Sequence, residues 1–186
     1  MLKKAIQQIR KWIDMGMNPV NISVNQSKIV FYHENYISEI KSLLEEYNVS
    51  GSYITLEVLE STVIEDIDMF NSILTEVKKL GFSVSLDDFG SGYSSLNVLS
   101  KLQIDELKID RIFLHTKSEV DNQRTKWILE SIIDIAKKSQ ILVVVEGVES
   151  KQDDLFIKNL GADIGQGYFY GRPLSISAFN DLIETK

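Results

Sequence analysis

Residues 70–95 read FNSILTEVKKLGFSVSLDDFGSGYSS, and three structural signals follow one another within them. Phe70, Ile73, Leu74, Val77 and Leu80 recur at helical spacing, and Gly81 marks the end of that helix. The run Phe82 to Asp88 is a strand candidate, closed by two adjacent acids and a glycine-rich loop. A helix that feeds a strand ending on charged residues is the repeating unit of a β/α fold.

The same unit recurs on both sides. Leu2, Ile6, Ile9 and Ile13 predict an opening amphipathic helix that stops at Gly16, ahead of Pro19. Val20 to Asn25 and Tyr53 to Leu59 are strand candidates, with a helix marked by Ile37, Ile40, Leu44 and Tyr47 between them. Downstream, a short helix near Ser95 to Leu102 leads to a strand at Glu106 to Ile109. A long helix is expected around Gln123 to Lys138, then a strand at Ile141 to Val145. Ser150 with Asp153 three residues later predicts a helix start, with Leu155, Phe156 and Leu160 as its buried face and Gly161 as its end. Asp163 to Tyr168 is the sixth strand candidate, and a last helix is expected at Ser177 to Ile183. Trp12 and Trp127 fall at helical spacing and are expected to pack inside.

Strands this apolar are expected to be covered on both faces, in a parallel sheet. No proline-rich, low-complexity or charge-block linker interrupts them, so residues 1–186 are expected to form one domain. Nearly every strand candidate ends on a polar residue: Asn25, Glu57, Asp87 with Asp88, Lys108 with Asp110, Glu146 and Gln166. In a β/α barrel such residues converge on one mouth, whereas a doubly wound sheet collects them at one crevice. Contributions from all six strands favour the barrel, a TIM-barrel-like α/β fold.

Composition narrows the chemistry. The 186 residues are 44% hydrophobic and 25% charged, enough for a core, and 27 acids against 20 bases give a net charge of −7. That field repels polyanions, so general nucleic-acid binding is disfavoured. There is no cysteine, and His33 and His115 are the only histidines, which leaves oxygen ligands suited to Mg²⁺, Mn²⁺ or Ca²⁺. The longest aliphatic run, Ile141 to Val145, is far short of the roughly 20 residues that span a bilayer. Gln7, Gln8, Arg10 and Lys11 break up any apolar stretch that a signal peptide would need, so a cytoplasmic chain or domain is expected.

Each candidate has a plainer alternative. Asn25 before a turn can be a backbone cap, and Glu57 within LEVLE can be the solvent-facing member of an alternating strand. Asp87 and Asp88 are adjacent carboxylates that repel, so they call for a cation or donors. Lys108 between Leu107 and Ile109 needs carboxylates or a phosphate if it is buried. Glu146, after five aliphatic residues, suits a general base whose pKa is raised by burial, although a structural ion pair explains both residues too. Gly90, Ser91 and Gly92 form a phosphate loop or an ordinary turn. Tyr168, Phe169 and Tyr170 are expected to serve as core and rim packing, with a platform on which a guanine could stack as the alternative.

DDFGSGYSSL (Asp87 to Leu96), LKIDRIF (Leu107 to Phe113), VEGVES (Val145 to Ser150) and QGYFYGRP (Gln166 to Pro173) occur in that order. Together with SVNQS (Ser23 to Ser27) and LEVLES (Leu56 to Ser61), they resemble the motifs of EAL-domain cyclic-di-GMP phosphodiesterases. The resemblance implies a modified TIM barrel that hydrolyses bis-(3′-5′)-cyclic diguanylate to linear pGpG in second-messenger signalling, with Mg²⁺ or Mn²⁺ as cofactor and Ca²⁺ inhibitory. It implies Asn25, Glu57, Asp87 and Asp88 as metal ligands, Lys108 as the residue that holds the attacking water, and Glu146 as general base or metal carboxylate. Glu60, Asp110, Glu149, Gln166, Gly167 and Pro173 are implied as substrate-binding or supporting residues, Glu60 as the anchor of the DDFGSGYSS loop.

No Glu-Ala-Leu tripeptide occurs, and Leu59, Gln26 and Val145 depart from the family pattern. The resemblance begins after the family's first two strands and a helix, so about six of eight barrel strands are expected here. An open barrel edge implies a homodimer or a partner domain. The alternative function is a catalytically inactive EAL-like receptor for cyclic-di-GMP, or a protein-interaction module.

Overall fold

A computed structural model describes residues 1–63, 66–91, 99–114 and 119–184. Six strands, β1 (Ile22–Gln26), β2 (Ile54–Leu59), β3 (Ser83–Phe89), β4 (Glu106–Ile109), β5 (Leu142–Glu146) and β6 (Ile164–Gln166), form one sheet. Every neighbouring pair is parallel and the spatial order equals the chain order. A doubly wound sheet reverses its order part-way, so consecutive order is the mark of barrel topology. The sheet is an incomplete TIM-barrel-like one, with β1 and β6 as its edges.

The helices are α1 (Leu2–Asp14), α2 (Lys28–Phe31), α3 (Tyr36–Tyr47), α4 (Glu60–Val63), α5 (Ile67–Lys79), α6 (Glu119–Lys138), α7 (Lys151–Leu160) and α8 (Ile176–Glu184). None is long and apolar enough to cross a membrane, among the described residues. Strand register separates the two faces of the sheet. Val24, Leu56 and Val84 align across β1 to β3, and Leu107 and Val143 across β4 and β5, all buried under the helices. The opposite, concave face carries Asn25, Glu57, Ser85 and Glu106 in one register row. The expectation of apolar cover on both faces therefore holds for the helix side only. On the concave side Leu142 and Ile164 are half exposed.

The helical layer runs further round than the sheet. Trp12 Nε1 donates to Asn180 Oδ1 at 2.8 Å, and the Trp12 and Phe179 rings lie 6.1 Å apart. The last helix is thus fastened to the first, while β1 and β6 do not pair with each other among the described residues.

Several local expectations shift. β1 starts at Ile22 because Asn21 is held outside it, accepting from Thr55 Oγ1 at 2.9 Å and donating to the Ser52 carbonyl. β6 stops at Gln166, where the chain turns and Tyr170 N–H donates to the Gly167 carbonyl. Tyr168, Phe169 and Tyr170 are exposed rather than packed, with Arg172 stacked 4.9 Å over the Tyr168 ring. Trp127 is also exposed, because the buried stripe of α6 runs through Leu129, Ile132, Ile133 and Ala136. In α7 the buried positions are Asp154 and Ile157, and Leu155 faces out. Asp154 takes the apolar position because Tyr170 Oη donates to it at 2.6 Å and Lys158 pairs with it at 2.9 Å. Of the helix expected near Ser95 to Leu102, residues 95–98 lie outside the described residues, as does most of the glycine-rich loop, while Leu99 and Leu102 are buried.

The predicted capping box is present. Ser150 Oγ accepts the Asp153 N–H at 3.1 Å, and Asp153 Oδ2 accepts the Ser150 N–H at 2.9 Å. Ser150→Ala should lower stability by about 1 kcal/mol, read as a small fall in melting temperature with an unchanged circular dichroism spectrum.

Candidate metal and phosphodiester site

Strand geometry alone would separate Asp87 from Asp88, since consecutive side chains alternate between faces. A β-bulge removes the conflict. Leu86 pairs with Leu107 and Phe89 with Ile109, so Asp87 and Asp88 together oppose the single residue Lys108. Asp88 takes left-handed backbone at φ 58°, which aspartate tolerates better than most residues. One carboxylate oxygen each from Asp87, Asp88 and Glu146 then lies within 4.8 Å of the others.

Lys108 stands at the centre of the mouth. Its Nζ lies 3.0 Å from Glu57 Oε1, 2.8 Å from Asp87 Oδ1 and 2.7 Å from Glu146 Oε1, with 6% of the side chain exposed. Burial pulls its pKa down, but the close Asp87, Glu146 and Glu57 carboxylates outweigh that and the net shift is upward. The group is a fixed ammonium, a donor rather than a base. Burial pushes the Glu146 carboxyl up against the opposing pull of Lys108. Burial, and then the Asp87 and Asp110 charges, push Asp88 up as well.

One ammonium facing Glu57, Asp87, Asp88 and Glu146 leaves formal negative charge in excess. Asp87 Oδ1 is buried, with Lys108 Nζ 2.8 Å away. Hard oxygen donors and surplus charge fit a divalent cation of the Mg²⁺, Mn²⁺ or Ca²⁺ class. Asp87, Asp88 and Glu146 are the residues that could hold it.

The other candidates spread outward from this cluster. Asn25 is exposed on β1, in register with Glu57. Glu60 is buried at the start of α4, directly after β2. Asp110 caps the 3₁₀ turn Arg111–Phe113, its Oδ1 accepting the Ile112 N–H at 2.8 Å. Gln166 is exposed, in register with Glu146, and its carbonyl accepts the Val148 N–H at 3.0 Å. Gly167 lies against the Val148 backbone, where a Cβ would collide. Glu149 and Pro173 are exposed and stand outside the ion cluster.

Sequence reasoning missed the floor of the site. Thr55, Glu106 and Lys108 line a cavity of about 370 Å³ together with Ser23, Glu57 and Gln166. Burial pushes the Glu106 carboxyl up, with Glu57 and Asp87 adding to the shift and Lys108 opposing it. The available signal was period-two alternation: Glu106 stands two residues before Lys108, and Thr55 two before Glu57.

Carboxylates gathered around a lysine at the C-terminal ends of parallel strands in consecutive order define a class, the β/α barrels with their functional groups at one mouth. Within that class the chain belongs to the EAL domain family, whose sequence model matches residues 1–173. It is 35% identical over 173 residues to the bifunctional diguanylate cyclase/cyclic di-GMP phosphodiesterase MucR of Pseudomonas aeruginosa, covering 93% of this chain and 25% of MucR. It is 32% identical over 176 residues to the cyclic di-GMP phosphodiesterase PdeR of Escherichia coli, covering 94% of this chain and 26% of PdeR. The chain thus spans about a quarter of the length of these curated relatives. Among solved structures, the MucR phosphodiesterase in complex with c-di-GMP superposes with a TM-score of 0.85 at 34% identity, over 96% of this chain and 71% of that one. The EAL domain of Mycobacterium smegmatis DcpA gives 0.87 at 27% identity, over 99% and 82%.

Proposed function

We propose that this chain carries the catalytic site of a cyclic-di-GMP-specific phosphodiesterase, hydrolysing one phosphodiester bond of bis-(3′-5′)-cyclic diguanylate to linear pGpG. The observation that carries the reading is the contact of one buried ammonium with three carboxylates, at 2.7 to 3.0 Å, beside the bulged Asp87–Asp88 pair. The names of the relatives support it.

Asp87, Asp88 and Glu146 would hold Mg²⁺ or Mn²⁺, with Glu57 and Asn25 beside them. A divalent ion there supplies counter-charge for the phosphate and makes water a usable nucleophile near neutral pH. Lys108 directs an N–H at the attacking water or at the developing phosphate oxyanion. Glu146, made more basic by burial, takes the proton from that water. A substrate with two phosphates meets a protein of net charge −7, so the ammonium and the cation are what make its approach favourable.

Residues 1–186 read as one EAL domain with six barrel strands, acting in the cytoplasm and pairing with a second copy or a partner domain at the open sheet edge. Incubation of the chain with cyclic-di-GMP and Mn²⁺, followed by chromatography, should yield linear pGpG. Chelation or Ca²⁺ should suppress it. Absence of product under every metal condition would sink the hydrolase reading. The alternative reading is an EAL-like receptor that binds cyclic-di-GMP without turnover; calorimetric binding with no pGpG would support it.

A further inference from the structure

The acids of the cluster come from β3 and β5, which are separated by β4. Strands two apart stand about 9.5 Å from each other, so how closely their carboxylates meet depends on the spacing of the two strand ends. The 3₁₀ turn Arg111–Phe113 occupies that interval. It is pinned to β3 by the Asp110 N–H, which donates to the Phe89 carbonyl at 3.2 Å.

Two glycines receive the turn. Gly90 follows Asp88 by two positions and Gly147 directly follows Glu146, with φ of 95° and 73°. A Cβ on Gly90 would collide with the Phe113 ring, coming 2.7 Å from its Cζ. A Cβ on Gly147 would collide with Arg111 Cβ and lie 3.3 Å from its Cα. Both faces of the turn therefore rest on bare backbone adjoining the acids.

We propose that Phe113 and Arg111 are positioning residues: their turn is a wedge between the β3 and β5 ends that sets the spacing of Asp87, Asp88 and Glu146 for a divalent cation. The inference rests on the metal reading above, and its test separates the two. Metal–ligand distances are tolerated only within about 0.2 Å, so a small displacement of the wedge reaches the cation.

The experiment titrates Mn²⁺ into the full chain, with free ion followed by electron paramagnetic resonance. It also records the ¹⁵N–¹H resonance of the Lys108 ammonium without metal. Gly147→Ala and Phe113→Ala should weaken Mn²⁺ binding by about 10–100-fold and shift the Lys108 resonance, with thermal melts showing a retained fold. Phe113→Leu, which refills most of the wedge, should restore most of the affinity and is the variant to use if Phe113→Ala fails to fold. Gly16→Ala controls for backbone strain, because Gly16 has φ 72° and nothing near its Cβ position; it should change neither readout. Unchanged Mn²⁺ affinity and an unmoved Lys108 resonance in folded Gly147→Ala and Phe113 variants would overturn the wedge. If the unaltered chain binds no Mn²⁺, the metal reading falls, and the Lys108 resonance alone decides whether the turn positions the cluster.

Discussion

Lys108→Met should destabilise the chain by about 3–5 kcal/mol at neutral pH, the usual cost of stripping one partner from a buried ion cluster. Methionine fills similar volume, so the loss is electrostatic rather than a cavity effect. Glu57, Asp87 and Glu146, whose side chains are 9%, 11% and 19% exposed, would then repel one another with no cation between them. Burial already pushes Glu146 up while Lys108 opposes the shift; without the lysine the upward shift grows. Folded-state carboxyls with raised pKa values bind protons at pH values where the unfolded chain has released them, so stability falls as pH rises through that window. The deficit should therefore be small near pH 4, around ordinary carboxyl values of about 4, and full by pH 7. Urea denaturation of both proteins at acid and neutral pH measures it. Mn²⁺ should recover more stability in the variant than in the parent, since it supplies the lost counter-charge. A variant equal in stability to the parent at both pH values would mean that the cluster carries no strain for Lys108 to relieve.

Much of this site was legible because a parallel sheet converts a one-dimensional pattern into a ring. Glu146 ends an apolar run, and that position alone sends it to the mouth, while Lys108 stands out as a charge between Leu107 and Ile109 near the end of its strand. The Asp87–Asp88 pair was legible as chemistry but not as geometry. Alternation sends neighbours to opposite faces, and only the bulge opposite Lys108, with Asp88 at φ 58°, reconciles the two. Glu57 stayed ambiguous for a related reason: both faces of LEVLE look plausible until the register with Asn25 and Ser85 fixes which one is concave. Glu106 escaped notice because it opens its strand, away from the ends that drew attention. The exposed Trp127 shows the limit of helical spacing, which locates a stripe but not the stripe that the sheet covers. Consecutive strand order, which excludes the doubly wound alternative, came from pairing that no periodicity encodes.

Glu146→Gln separates chemistry from architecture and should lower hydrolysis by about 10²–10⁴-fold with little change in stability. The amide is isosteric and can still accept a hydrogen bond from Lys108, which also keeps Glu57 at 3.0 Å and Asp87 at 2.8 Å. Glu146 is the most exposed of the three partners, and removing its charge relieves part of the cluster's excess. What the amide cannot do is accept a proton, and its neutral oxygen is a poorer cation ligand than a carboxylate. Initial rates of pGpG formation across Mn²⁺ concentrations separate these effects. A loss that persists at saturating metal marks proton transfer, whereas a loss that saturating metal abolishes marks cation binding alone. A variant with a full rate at every metal concentration would place the base elsewhere and leave Glu146 as a structural partner of Lys108.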